Sequence, residues 1–145
     1  MPSAGALNIF LDSSVAIAAT LSATGASRQL FDLAPRHDWS LVISPWVLRE
    51  IRDNLRDRSD AAREWKSLRR RVIIETDEFI FEWPLLFEIA KDKPVLVTAL
   101  ASADVLLTLD RRDFGPLIGQ NVYGLRVRTP GEFLREEREA GRLKL

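Results

Sequence analysis

Hydrophobic positions along the chain follow two rhythms, short solid runs and longer stripes at helical spacing. Leu7–Leu11 (Leu-Asn-Ile-Phe-Leu) is a strand-like run that stops at Asp12-Ser13-Ser14. That trio is an N-cap cluster opening a small-residue helix through Val15-Ala16-Ile17-Ala18-Ala19. A second helix is predicted over residues 26–33. Trp39–Ile43 reads as the next strand, and Ser44-Pro45 supplies a cap with proline at the first helical position. The helix over residues 45–56 carries Val47, Leu48, Ile51 and Leu55 on one stripe. A further helix (60–70) and a strand (72–75) follow. Residues 77–91 are apolar and aromatic but broken by Pro84, and the pattern does not divide them between helix and strand. Residues 94–103 read as a buried helix, 105–108 as a buried strand and 110–115 as a turn. Leu125–Arg128 is a last strand, and a terminal helix starts at Pro130 with Thr129 as its cap.

Strands separated by helices favour parallel pairing, so the expected fold class is α/β with a mostly parallel central sheet. No repeat, low-complexity tract or flexible linker interrupts the 145 residues, and one domain over residues 1–145 is expected. Ligands of such sheets gather outside the carboxyl ends of the strands. Asp12 and Asp110 each follow a predicted strand at that end.

Composition narrows the chemistry. The apolar fraction of 46% and charged fraction of 29% suit a soluble globular protein, and the formal net charge of zero offers no global basic field for a polyanion. Any nucleic-acid partner must be held by a local patch or by metal. There are no cysteines, which excludes disulfides, thiolate zinc sites and cysteine nucleophiles. The N-terminus does not read as a secretory signal, and the apolar runs are far shorter than the roughly 20 residues a bilayer requires. A cytoplasmic location and no membrane partner are expected.

Taken singly, every acid has an ordinary explanation. Asp12 can cap the helix it precedes, and Asp92 can complement the helix starting at Pro94. Glu50 lies at one border of the apolar stripe of its helix, where glutamates are usually just solvated. Asp110 is a turn former, Asp113 starts the next turn, and Asp104 brackets a strand. Their joint pattern is less ordinary. Ile9-Phe10-Leu11-Asp12-Ser13-Ser14-Val15, Ile43-Ser44-Pro45 through Leu48-Arg49-Glu50-Ile51, and Lys91-Asp92-Lys93-Pro94-Val95-Leu96 appear in order. Ala103-Asp104-Val105-Leu106-Leu107-Thr108-Leu109-Asp110 and Thr129-Pro130-Gly131-Glu132-Phe133-Leu134 complete the series.

Together these pieces resemble PIN domains, particularly the VapC-like ribonucleases of toxin–antitoxin systems. The resemblance implies a three-layer α/β/α fold and an acidic quartet at Asp12, Glu50, Asp92 and Asp110, as catalytic residues and metal ligands. Asp113, Thr108 and Ser13 are the implied auxiliaries. It further implies hydrolysis of RNA to 5′-phosphate and 3′-hydroxyl ends, a homodimer, and a small antitoxin whose tail plugs the acidic groove. Ser14 stands where many relatives have asparagine, and residues 79–87 match no part of the family pattern.

Carboxylate-only ligands suit Mg2+ or Mn2+ rather than zinc, and such ions serve phosphodiester hydrolysis when coordination positions stay open. Arg111, Arg112 and Arg49 are the candidate phosphate contacts, although Arg49 is also placed for an i,i+4 pair with Asp53. His37 is expected in a polar loop and is not the general base. Trp39, Trp46, Trp65 and Trp83 are core or interface aromatics before they are base-stacking ones, with Trp46 and Trp65 candidates for a dimer surface. Two other readings compete. One is a non-catalytic PIN-like module binding RNA or protein. The other is a phosphatase with Asp12 as nucleophile, as in haloacid-dehalogenase-like enzymes, which place a second aspartate where Ser14 stands.

Overall fold

A computed structural model describes residues 6–76 and 94–143. Its sheet contains, among those residues, β1 (Leu7–Leu11), β2 (Trp39–Ile43), β3 (Val72–Ile74), β4 (Val105–Leu107), β5 (Asn121–Val122) and β6 (Leu125–Arg128). The order across the sheet is β3-β2-β1-β4-β6-β5. Every pairing is parallel except the β5–β6 hairpin. The α-helices among the described residues are α1 (Ser13–Leu21), α2 (Ala26–His37), α3 (Pro45–Leu55), α4 (Ser59–Leu68), α5 (Pro94–Ser102), α6 (Arg111–Phe114) and α7 (Pro130–Glu139). The α/β class and mostly parallel sheet expected from the hydrophobic pattern are present.

Solid runs became central strands because both their faces are covered. Ile9, Phe10 and Leu11 of β1 and Val105, Leu106 and Leu107 of β4 are fully buried. One layer contains α2, packed on β2 and α7, while α5 packs on β1 and β4. The chain runs from β1 out to β3 and then returns to the far side of β1, an order in which the general right-handedness of parallel crossovers sets the helices of the outward and return crossovers on opposite faces. This reversal leaves a crevice between the ends of β1 and β4. The chemistry of the chain is concentrated there.

Several boundaries differ from expectation. The second helix runs on past residue 33 through Pro35 to His37, and Asp38 ends it in the left-handed conformation at φ 54°. Pro35 has no N–H to bond the Phe31 carbonyl, and the Arg71 guanidinium donates to that carbonyl instead at 3.4 Å. His37 is therefore the end of a helix rather than a loop residue, with its ring stacked on Trp39 at 4.6 Å between centroids. Residues 110–115 form a one-turn helix rather than a turn alone. Trp65 is a core residue, 5% exposed, so it does not serve a dimer surface. Asp53 pairs with Arg56 at 2.7 Å rather than with Arg49. The undivided stretch 77–91, with Trp83 and Asp92, lies outside the described residues.

Ser44 starts α3, the helix that carries Glu50. Its fully buried hydroxyl accepts the Val47 N–H at 3.3 Å, and Pro45 follows at the first position. Ser44→Ala is expected to destabilise the protein by about 1 kcal/mol, read as a lower urea midpoint with an unchanged slope. An unchanged midpoint would show that α3 does not depend on this cap.

Candidate active site

Asp12 continues the parallel ladder beyond β1, donating its N–H to the Leu107 carbonyl at 3.0 Å. Its side chain is 5% exposed. Capping, the ordinary explanation for an acid here, does not occur: the Asp12 side chain makes no cap hydrogen bond to α1. Instead Oδ2 accepts the Ser14 hydroxyl at 2.7 Å and the Thr108 hydroxyl at 2.8 Å.

Each hydroxyl is fixed from its other side. Thr108 Oγ1 accepts the Asp110 N–H at 3.0 Å, and Ser14 Oγ accepts the Leu109 N–H at 3.0 Å. A hydroxyl has one proton to donate, and accepting a backbone N–H leaves that proton free for Asp12. The segment 108–110 thus orients the carboxylate of β1 through two hydroxyls. In sequence Ser14 is only a departure from the family pattern; in the fold it is a structural partner of the central acid. Its position two residues after Asp12 was the available signal.

Asp12, Glu50, Asp110 and Asp113 line one cavity of about 560 Å³, with Ser13 and Trp46 also on its wall. Asp110 has a double part, since its Oδ1 caps α6 by accepting the N–H groups of Arg112 at 3.1 Å and Asp113 at 3.0 Å. Asn54 joins the wall four residues after Glu50, on the same face of α3, where an uncharged amide carries no signal in the sequence beyond that spacing. Pro94 and Val95 line the cavity as well. Asp92 lies outside the described residues.

The electrostatics of the cavity run in one direction. Burial pushes the Asp12 carboxyl above its ordinary value; the Ser14 and Thr108 hydroxyls pull it back, and the charge of Asp110 adds to the rise. Glu50 is also raised, first by burial, then by the charge of Asp12, with smaller contributions from Asp110 and Asp113 against the Ser13 hydroxyl. Among the described residues no lysine or arginine pairs with any of these four acids. Like charges facing one cavity without a cation fit a divalent ion. The donors are hard carboxylate oxygens, with neither thiolate nor imidazole. Among the described residues no three such side chains already stand in metal-ligating proximity.

The candidate phosphate contacts fall elsewhere. Arg49 and Arg112 are exposed and do not line the acidic cavity, while Arg111 lines a neighbouring hollow. Asp104 stands at the opposite end of the sheet, accepting the Asn8 N–H at 2.9 Å.

A family model described as PIN domain matches residues 8–112. The chain belongs to the PIN domain family. Its fold is similar to that of a chain in the crystal structure of VapBC2 from Rickettsia felis bound to a DNA fragment from the promoter. The TM-score is 0.63 at 14% identity, covering 85% of this chain and 98% of that one. No curated protein matches the chain in sequence. Ser14, where the phosphatase reading calls for a second aspartate, instead holds Asp12 and Leu109.

The raised Asp12 carboxyl carries a consequence for stability. The folded state keeps this proton to higher pH than the unfolded state, whose value lies near the ordinary 3.8. Stability contributed by the protonated form is therefore present below that value and lost as pH rises through the raised folded value. Asp12→Asn, which cannot ionise, is expected to flatten this loss and to leave the metal-free protein more stable at neutral pH. Urea unfolding in chelator, from about pH 4 to about pH 8, reads the effect. A variant no more stable than the parent at neutral pH would contradict it.

Proposed function

We propose that the chain is a Mg2+- or Mn2+-dependent endoribonuclease. The observation that carries this reading is the convergence of Asp12, Glu50 and Asp110 on one cavity at the crevice between β1 and β4, though these residues are distant in sequence. Asp12, Glu50, Asp92 and Asp110 are the proposed ligands and catalytic groups, supported by Asp113, Thr108 and Ser13. When bound, the ion supplies charge stabilisation on the phosphodiester and a more acidic water.

The protein's own groups have distinct tasks in this reading. Asp12 is held in one orientation by Ser14 and Thr108, so little reorganisation accompanies ligand binding. Asp110 is held likewise by the two N–H groups it caps. Glu50 sits on the exposed side of α3 at the cavity wall, where a carboxylate with raised proton affinity is suited to orient water and take its proton. Arg111, Arg112 and Arg49 are proposed to meet RNA phosphates around this centre. Products with 5′-phosphate and 3′-hydroxyl ends are what the family resemblance implies for this hydrolysis.

The likeness in fold to a VapBC2 chain supports a further proposal, that this protein is the toxin of a toxin–antitoxin pair. A small antitoxin protein then occupies the acidic groove, and the chain is proposed to act as a cytoplasmic homodimer. Among the described residues no helix is long and apolar enough to cross a membrane.

The test is cleavage of a mixed-sequence RNA in Mn2+. Asp12→Asn and Glu50→Gln are each expected to lower the rate by about a hundredfold or more. RNA bound but uncut by the parent would favour the non-catalytic module instead. Cutting undiminished in both variants would place the chemistry elsewhere.

A further inference from the structure

A second hollow, of about 410 Å³, adjoins the acidic cavity and shares Ala18 with it. Its wall includes Gly25, Ala26 and Ser27 at the start of α2, and Thr129, Pro130 and Gly131 at the start of α7. Arg111 lines it as well, and no acidic residue does.

The two helix starts differ in what they leave open. The start of α7 is closed by a capping box, in which Thr129 and Glu132 satisfy each other's N–H groups. The start of α2 has Gly25 as its cap and no side-chain cap bond. Gln29 is the first residue whose N–H finds a carbonyl, that of Gly25 at 3.1 Å. The N–H groups of Ala26, Ser27 and Arg28 thus lack helical partners and form the positive end of a twelve-residue helix.

Ser27 is the independent sign of a ligand. It is 6% exposed and lines the hollow, yet its hydroxyl makes no hydrogen bond among the described residues. That hydroxyl is therefore free to bond a ligand in the hollow. Arg111 is exposed and, among the described residues, forms no ion pair. Backbone donors, a hydroxyl and a guanidinium around a hollow free of carboxylates suit an anion with several oxygens.

We infer that this hollow seats a backbone phosphate of the nucleic-acid strand whose neighbouring linkage lies in the acidic cavity. The polynucleotide as occupant rests on the proposed nuclease function; the recognition of phosphate does not. The Leu109–Arg111 segment separates the two sites, so the strand crosses it, with one phosphate on the positive side and the scissile one on the acidic side.

Two measurements on the full chain test this. In the first, inorganic phosphate is titrated without divalent ions while backbone amide signals are followed by NMR. The largest shifts are expected at Ala26, Ser27 and Arg28, and Arg111→Ala should weaken the titration about tenfold. In the second, RNA cleavage and binding are measured for Arg111→Ala and Ser27→Ala. KM is expected to rise about tenfold for Arg111→Ala, and by less for Ser27→Ala, with kcat within about twofold. The log–log salt slope of RNA binding in chelator should fall by about 0.7 for Arg111→Ala. Arg138→Ala, the same charge lost at the far end of α7, should leave KM as it was.

Phosphate shifts centred on other residues would overturn the seat. Normal KM and salt slope for Arg111→Ala in an enzyme that cuts RNA would overturn it too, while leaving the nuclease reading intact. Phosphate shifts at α2 in a protein that neither binds nor cuts RNA would retain a phosphate seat but overturn the polynucleotide as its occupant.

Discussion

The hydrogen bond from the Thr108 hydroxyl to Asp12, 2.8 Å long and fully buried on the threonine side, joins the ends of the two strands that flank the crevice. It is possible only because β1 and β4 pair in parallel with Leu11 opposite Leu107, which brings the next residue of each strand level with the other. Strand register therefore sets the orientation of the central carboxylate. Thr108 also takes the Asp110 N–H, so the same contact positions a second acid of the cavity. The fold and the candidate chemistry meet at one bond.

Elsewhere in the molecule charges out of solvent are handled differently. Arg128, 8% exposed, donates to both oxygens of Glu136 and to three other acceptors. Glu137, 3% exposed, is paired with Arg142 at 2.6 Å, and that partner holds it below the ordinary carboxylate value. Burial alone raises Glu136, but the guanidinium groups of Arg128 and Arg126 outweigh it and bring the group down. Asp12 and Glu50 move the opposite way, raised first by burial and further by the charges of neighbouring acids, with no guanidinium among the described residues to bring them down. Among the described residues Glu136 and Glu137 of α7 have guanidinium partners while Asp12, Glu50, Asp110 and Asp113 have none, a contrast that suits the cation site proposed above.

Much of this arrangement was legible in the order of residues. Solid runs ending in an acid, as at Leu11-Asp12 and Thr108-Leu109-Asp110, indicate buried strands delivering charge to one edge of a sheet. The Ser44-Pro45 start and the stripe through Leu55 located α3 and put Glu50 at its border. What escaped depended on partners remote in sequence. Nothing near Pro35 announces that Arg71 will take up the Phe31 carbonyl and let the helix continue. The β5–β6 hairpin was missed because Tyr123, at φ 49°, occupies a turn position more familiar in asparagine or glycine, with Gly124 beside it at φ 85°. The role of Ser14 requires the backbone of Leu109, and the hollow beside Arg111 requires two helix starts to meet. Pattern within one segment does not contain such encounters.

The proposed chemistry requires the acids to hold a cation before they can act on a substrate, so ion binding is the most direct test. Mn2+ is titrated into the metal-free protein and free ion is counted by electron paramagnetic resonance, for the parent chain and for Asp12→Asn. Saturable binding by the parent, lost or strongly weakened by the substitution, is the expected result. Equal affinity in both proteins, or no binding by either, would contradict a metal centre built around Asp12.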